Sequence, residues 1–109
     1  MKQRRAIIVG GSIGGLFAGN ILIRNGWTVE VLERAKTSLA SRGTGIARHS
    51  ELEEILVDLG LPPDDTVGID VSGRTAFDRH GNVIAKYDLR QTLGAWNRVF
   101  EPLFNAFPK

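Results

Sequence analysis

Residues 6–9, AIIV, form an apolar run without alternation, closed by Gly10 and Gly11. Such a run predicts a strand buried on both faces, as in a parallel sheet. From about 14 to 25, Leu16, Phe17, Ile21, Leu22 and Ile23 recur at helical spacing, with Ala18 and Gly19 between them. So little polar surface remains that this helix is expected to be covered on more than one side. Asn25-Gly26 stops it, because glycine enters the left-handed conformation at a helix C-terminus with least strain. A second strand follows at 28–32, with Glu33 and Arg34 at its C-terminal end. Strand, glycine turn, helix and strand compose a βαβ unit, with a right-handed crossover and parallel strands.

The stretch 35–47 is polar, contains Gly43 and Gly45, and reads as an ordered loop. A helix is predicted next: Ser50 with Glu53 has capping-box spacing, Leu52, Ile55, Leu56 and Leu59 share a face, and Gly60 with Pro62-Pro63 ends it. Residues 73–87 suggest two antiparallel strands around His80-Gly81-Asn82, a hairpin spanning about 70–88 and assigned to a second sheet. From 95 to about 107, Trp96, Val99, Phe100, Leu103 and Phe104 fall at helical spacing, with Pro102 kinking or restarting the helix. The expected fold class is α/β: an N-terminal βαβ, Rossmann-like dinucleotide-binding unit, a further helix, a β-hairpin and a C-terminal helix. Two parallel strands and a hairpin do not complete a doubly wound sheet, and unpaired edges invite aggregation.

Composition narrows the chemistry. The chain has 109 residues, 42% hydrophobic and 24% charged, the profile of one ordinary globular domain. The net charge is only +2 and the 14 basic residues are dispersed, which gives nucleic-acid binding little support; Lys2, Arg4 and Arg5 read as a surface tail. With no cysteine, disulfides, thiolate metal sites and thiol catalysis are excluded. The run at 6–9 is too short for a signal-peptide core or for a membrane span, which needs about 20 apolar residues. The expectation is a cytoplasmic protein with no membrane partner.

The stretch GGSIGG, residues 10–15, supplies the candidate chemistry. In a dinucleotide-binding βαβ unit the first glycine permits the tight turn, the second lets backbone approach the pyrophosphate, and the third lets helix and strand pack closely. Gly10, Ser12 and Gly15 hold these places, with Gly11, Ile13 and Gly14 between them. The turn opens onto a helix N-terminus, where unpaired N–H groups and the helix dipole favour an anion. Serine at the middle place keeps that physics if its backbone suits an L-residue, and its hydroxyl can donate to a phosphate oxygen. The bland reading is a turn that serves only strand-to-helix packing. Glu33, 23 residues after Gly10, weighs against it, since a carboxylate about 20 residues on meets the ribose hydroxyls.

That carboxylate repels a 2′-phosphate, so FAD or NAD is favoured over NADP at this place. Arg34 reads either as a surface cation or as a residue lying across the adenine or assisting a phosphate. Arg42, Gly43 and Gly45 either support the pyrophosphate from the other side or form a flexible loop. His49 and His80 lack partners at metal-ligand spacing and are expected to face solvent, and no metal site is expected. Asp64 and Asp65 read as loop solvation, and Trp96 with the phenylalanines after residue 76 as core.

The strings IIVGGSIGGLFAGNILIRNGWTVEVLER, SRGTGIA and ELEEILVDLG resemble the N-terminus of FAD-dependent aromatic-ring monooxygenases of the para-hydroxybenzoate hydroxylase fold. The GGSIGGL and GTGI forms, and QTLGAWNRVFEPLFNAFP later, are most similar to the 2,6-dihydroxypyridine 3-monooxygenase branch. The resemblance implies an enzyme in which NADH or NADPH reduces FAD and the reduced flavin, with O2, hydroxylates an aromatic or heteroaromatic ring. It implies that Gly10, Ser12, Ile13 and Gly15 face the FAD pyrophosphate, Glu33 the ribose, and Arg34 the adenine or a phosphate. Arg42 and Gly45 fall in the second FAD-contacting loop of such enzymes. Many such relatives have an arginine near the start of the last helix that reaches the phosphate side of the flavin; here that region runs from Gln91 to Arg98 and includes Trp96. Residues 1–109 are expected to be the N-terminal part of an FAD-binding domain, unable to turn over alone. Two other readings stay open: a free-standing nucleotide-binding or interaction module, and the NAD-binding domain of a dehydrogenase, against which the hairpin in place of a third parallel strand argues.

Overall fold

The structure, a computed structural model, describes residues 2–63 and 68–108. The predicted loop acids Asp64 and Asp65 lie outside the described residues. The elements run β1 (Arg5–Val9), α1 (Ile13–Arg24), β2 (Thr28–Leu32), β3 (Gly45–Arg48), α2 (Ser50–Asp58), β4 (Ile69–Phe77), β5 (Val83–Ala95) and α3 (Asn97–Ala106). The α/β expectation holds, with β1 and β2 paired in parallel from Arg5 opposite Thr28 to Val9 opposite Leu32.

The stops of α1 and α2 follow from glycine. Gly26 has φ +81°, and the Trp27 N–H reaches back to Leu22 O at 3.0 Å while the Gly26 N–H donates to Ile23 O at 2.9 Å. The same six-to-one and five-to-two bonds close α2, from Leu61 to Leu56 at 2.8 Å and from Gly60, φ +73°, to Val57 at 2.9 Å. Both are Schellman motifs, which satisfy carbonyls that the helix leaves unpaired.

Four sequence expectations change. First, β1 is covered on one face only: Ala6 and Ile8 are half-buried, whereas Ile7 is 58% and Val9 85% exposed. Second, the expected hairpin forms, as β4 and β5, but a third strand joins it in the order β3-β5-β4, because β5 runs on to Ala95 and its last residues pair with Gly45–Arg48 out of the expected loop. Third, α2 is capped by His49, whose extended backbone lets Nδ1 accept the Leu52 N–H at 3.3 Å; Ser50 is already helical and its hydroxyl donates to Glu51 at 3.1 Å. Ile55 lies at the margin of the apolar face, more than a third exposed. Fourth, α3 starts at Asn97 and continues through Pro102. Of the aromatics expected in the core, Phe100 is buried and Trp96 and Phe107 pack against it, but Phe77 and Phe104 are largely exposed.

The buried apolar side chains are Leu16 of α1, Leu52 and Leu56 of α2, and Val99, Phe100 and Leu103 of α3. The core is therefore helical. Helix α1 is held between the parallel sheet and α3, as its nearly continuous apolarity requires. Two contacts set the α1–α3 spacing. The Phe107 ring lies where a Cβ on Gly19 would stand, 2.7 Å from it. Buried Asn20 donates from Nδ2 to Leu16 O at 2.8 Å and to Leu103 O at 3.1 Å. The second bond satisfies a carbonyl in the last turn of α3, where intrahelical donors run out.

Candidate functional site

The glycine turn joins β1 to α1 at the C-terminal end of the parallel sheet. Gly10 has φ +110°, a conformation that L side chains rarely adopt, and its N–H is anchored to Leu32 O at 2.7 Å. Ser12 is the helix N-cap with φ −81° and ψ −176°, extended backbone open to any residue. The proviso on serine is met. The Ser12 side chain makes no capping bond and is exposed. Gly15 has the closest approach: a Cβ there would run into Gly10 O, so helix and turn touch backbone to backbone. Gly14 faces open space, with nothing within 4 Å of its Cβ position. The first intrahelical bond of this turn is from the Leu16 N–H to Ser12 O at 2.9 Å, and the N–H groups of Ile13, Gly14 and Gly15 stand ahead of it. Exposed hydroxyl, leading N–H groups and open glycine surface form a cradle that suits a diphosphate.

Glu33 folds back onto this turn. The Gly11 N–H donates to Glu33 Oε2 at 2.8 Å and the Ala35 N–H to Oε1 at 3.0 Å. Gly11 is buried and a Cβ on it would approach Glu33 Cβ to 3.1 Å, so this place too is best left to glycine. The two N–H donors, Ala35 foremost and then Gly11, hold the Glu33 carboxyl below its ordinary range, with Arg34 adding a smaller effect. Each oxygen carries two lone pairs, so a carboxylate fixed by two N–H donors still accepts from a diol. Sequence reasoning placed Glu33 by spacing but missed this tether. Beside it opens a cleft of about 420 Å³ that Gly11, Glu33, Leu39, Phe104 and Phe107 help to line.

Arg34 is exposed next to Glu33. Arg42 is exposed in the turn after Leu39, whose carbonyl accepts its N–H at 3.0 Å. Gly45 opens β3 opposite Ala95, and a Cβ there would meet only Gly94 O at an ordinary 3.7 Å. The glycine that the loop needs is Gly43, since a Cβ there would overlap the Trp96 indole. His49 and His80 are exposed, the first as the α2 cap and the second in the hairpin turn, where Asp78 Oδ1 accepts the N–H groups of His80 and Asn82. Among the described residues no cluster of three His, Cys, Asp or Glu side chains is placed to hold a metal. No helix among them is long and apolar enough to cross a membrane.

No family model matches the chain. Among curated proteins it is 50% identical over 46 residues to a probable 2-heptyl-3-hydroxy-4(1H)-quinolone synthase, AqdB2, of Rhodococcus erythropolis, which covers 42% of this chain and 12% of that one. It is 42% identical over 60 residues to the 2,6-dihydroxypyridine 3-monooxygenase of Paenarthrobacter nicotinovorans, 55% of this chain and 15% of that one. Among solved structures, 2,6-dihydroxypyridine-3-hydroxylase from Arthrobacter nicotinovorans superposes with a TM-score of 0.74 at 28% identity, over 99% of this chain and 28% of that one. Tetrameric 2-methyl-3-hydroxypyridine-5-carboxylic acid oxygenase gives a TM-score of 0.71 at 25% identity, over 97% of this chain and 29% of that one. Klebsiella pneumoniae HpxO, solved with FAD, is 20% identical and shares the fold, with a TM-score of 0.63. The chain thus spans less than a third of the length of these relatives, and over that span it is similar in sequence and fold to the aromatic-ring monooxygenases that its glycine turn and following motifs resemble.

Proposed function

We propose that this chain binds the ADP portion of FAD and serves as the N-terminal part of the FAD-binding domain of an NAD(P)H-using monooxygenase that hydroxylates an aromatic or heteroaromatic ring. The observation that carries the reading is the pairing of an open helix N-terminus with Glu33 tethered to Gly11 at 2.8 Å. The N–H groups of Ile13, Gly14 and Gly15 and the Ser12 hydroxyl donate to the diphosphate. Glu33 accepts from the ribose diol, and Arg34 flanks the adenine or a phosphate. Arg42 and Gly45 approach the diphosphate from the second loop. When bound, the flavin would supply the redox chemistry of ring hydroxylation by O2, with electrons from the nicotinamide cofactor. This chain's share is to bind and orient the cofactor, in a cytoplasmic protein.

Because Glu33 is held in its charged form, a 2′-phosphate at this ribose is repelled, which favours FAD or NAD over NADP. The sheet topology beyond β2 favours FAD over the NAD of a dehydrogenase: an antiparallel sheet stands where a dehydrogenase continues its parallel one. The test is equilibrium dialysis of the chain against FAD, NAD and NADP. Saturable FAD binding that Glu33→Ala weakens about tenfold or more supports the reading, one ribose contact being worth roughly that much. No saturable FAD binding, or equal binding of NADP, overturns it.

A further inference from the structure

Trp96 stands at the junction of β5 and α3, and four contacts fix it. Its N–H donates to Thr44 O at 3.3 Å, its carbonyl accepts the N–H groups of Val99 and Phe100 at 3.1 Å, and its indole stacks on Phe100 with centroids 4.7 Å apart and planes 14° apart. The fourth contact is with Gly43: a Cβ built there would clash with Trp96 Cβ and with Cγ and Cδ2 of its indole. Packing against Phe100 and Gly43 holds the ring in place. Leu39 and Ala40, just before this turn, and Ile13, at the start of α1, pack on the same buried cluster as Trp96. The loop and the glycine turn therefore share one foundation.

We propose that Trp96 is a positioning residue for the cofactor: its indole, lying on Gly43 and stacked on Phe100, fixes the 42–44 turn so that Arg42 and the backbone around Gly43 meet the diphosphate from the side opposite Ser12. This rests on the FAD-binding reading above. The indole acts through the loop, and its shape excludes any residue but glycine at 43. Close approach of backbone to an anion is then a consequence of aromatic packing on its far side.

The test separates the loop from the glycine turn. FAD and AMP are titrated against the chain and its Trp96→Ala, Gly43→Ala and Trp96→Phe variants, with melting temperature as the control for folding. AMP reaches Glu33 and a single phosphate, whereas FAD needs both sides of the diphosphate. Trp96→Ala and Gly43→Ala are expected to weaken FAD about tenfold or more while AMP changes by less than about threefold, and Trp96→Phe, which keeps a ring to stack, restores FAD binding. Should Trp96→Ala bind FAD as tightly as the parent, or lose FAD and AMP in equal measure, the positioning role is overturned. If the parent chain binds no FAD at all, the dinucleotide reading itself fails, which is a different outcome from FAD binding that is indifferent to residue 96.

Discussion

Each glycine in the turn answers a different constraint, so substitutions there separate by sign. A Cβ at Gly14 enters open space on a helix, whereas one at Gly15 meets Gly10 O. Gly14→Ala is therefore expected to raise the melting free energy by up to about 1 kcal/mol through helix propensity. Gly15→Ala is expected to lower it by about 1–3 kcal/mol, because backbone must move. Thermal melts of the two variants decide the matter, and a stable Gly15→Ala chain means that helix and turn do not touch. Ser12 has extended backbone and a free, exposed side chain, so Ser12→Gly should leave FAD affinity within a few-fold, while Ser12→Leu places a bulky group over the phosphate cradle and abolishes it. Leucine tolerated in an FAD titration would move the phosphates elsewhere.

Glu33 adds a pH signature at the same scale. Its folded-state ionisation lies below the ordinary carboxylate value, from the Ala35 and Gly11 N–H groups. The stability it contributes is therefore complete above the unfolded carboxylate pKa and is lost as pH falls through the lowered, folded one. Glu33→Gln keeps one acceptor oxygen but turns an NH2 toward a backbone donor. The melting temperatures of parent and variant should differ most near neutrality and converge in acid, as pH falls through the lowered folded-state pKa and the parent carboxyl is protonated as well. A gap that stays constant over that range means that the tether contributes nothing. This residue was legible from spacing alone, because one helix and one strand set the distance from Gly10. Its hydrogen bond to Gly11 was not, since it depends on how two turns abut.

At the scale of elements, local signals were readable and non-local ones were not. Gly26 and Gly60 close their helices where the sequence placed the stops, since a Schellman motif lies within six residues. Strand β3 was missed because GIAR has no alternation of its own and becomes a strand only by pairing with Thr92–Ala95 of β5. The α1–α3 junction was hidden for the same reason: Gly19 and Asn20 look like ordinary helix residues until Phe107 and Leu103 are set beside them. Asn20 is a buried polar residue, placed where α1 meets α3. Asn20→Leu leaves Leu103 O without that donor and should cost about 1–3 kcal/mol, whereas Asn20→Gln should recover part of it. A leucine variant that melts like the parent shows that water serves that carbonyl as well. At α2, His49→Ala should cost about 1 kcal/mol and His49→Asn much less, since asparagine also caps; equal losses would assign the cap to another group.

The whole molecule is a helical core flanked by two thin sheets. Its radius of gyration is 17.2 Å, against about 13 Å for a compact domain near this length. The extents of 60 × 28 × 24 Å describe an elongated body. Apolar side chains remain on both sheets: Ile7, Val9 and Leu32 on the face of the parallel sheet away from α1, and Phe77, Val83, Ile84 and Tyr87 on the hairpin. Open strand edges with apolar faces pair with other chains. The isolated 109-residue chain should therefore bind a hydrophobic dye and self-associate at roughly micromolar concentration and above. Val9 is 85% exposed, so Val9→Lys with Ile84→Lys removes apolar surface without touching the helical core. The double variant should sediment closer to a monomer while its helices melt at nearly the parent temperature, because the buried leucines, Val99 and Phe100 are untouched. If the parent already sediments as a monomer that excludes the dye, these faces are covered in solution. The free-standing module then becomes the better account of the chain.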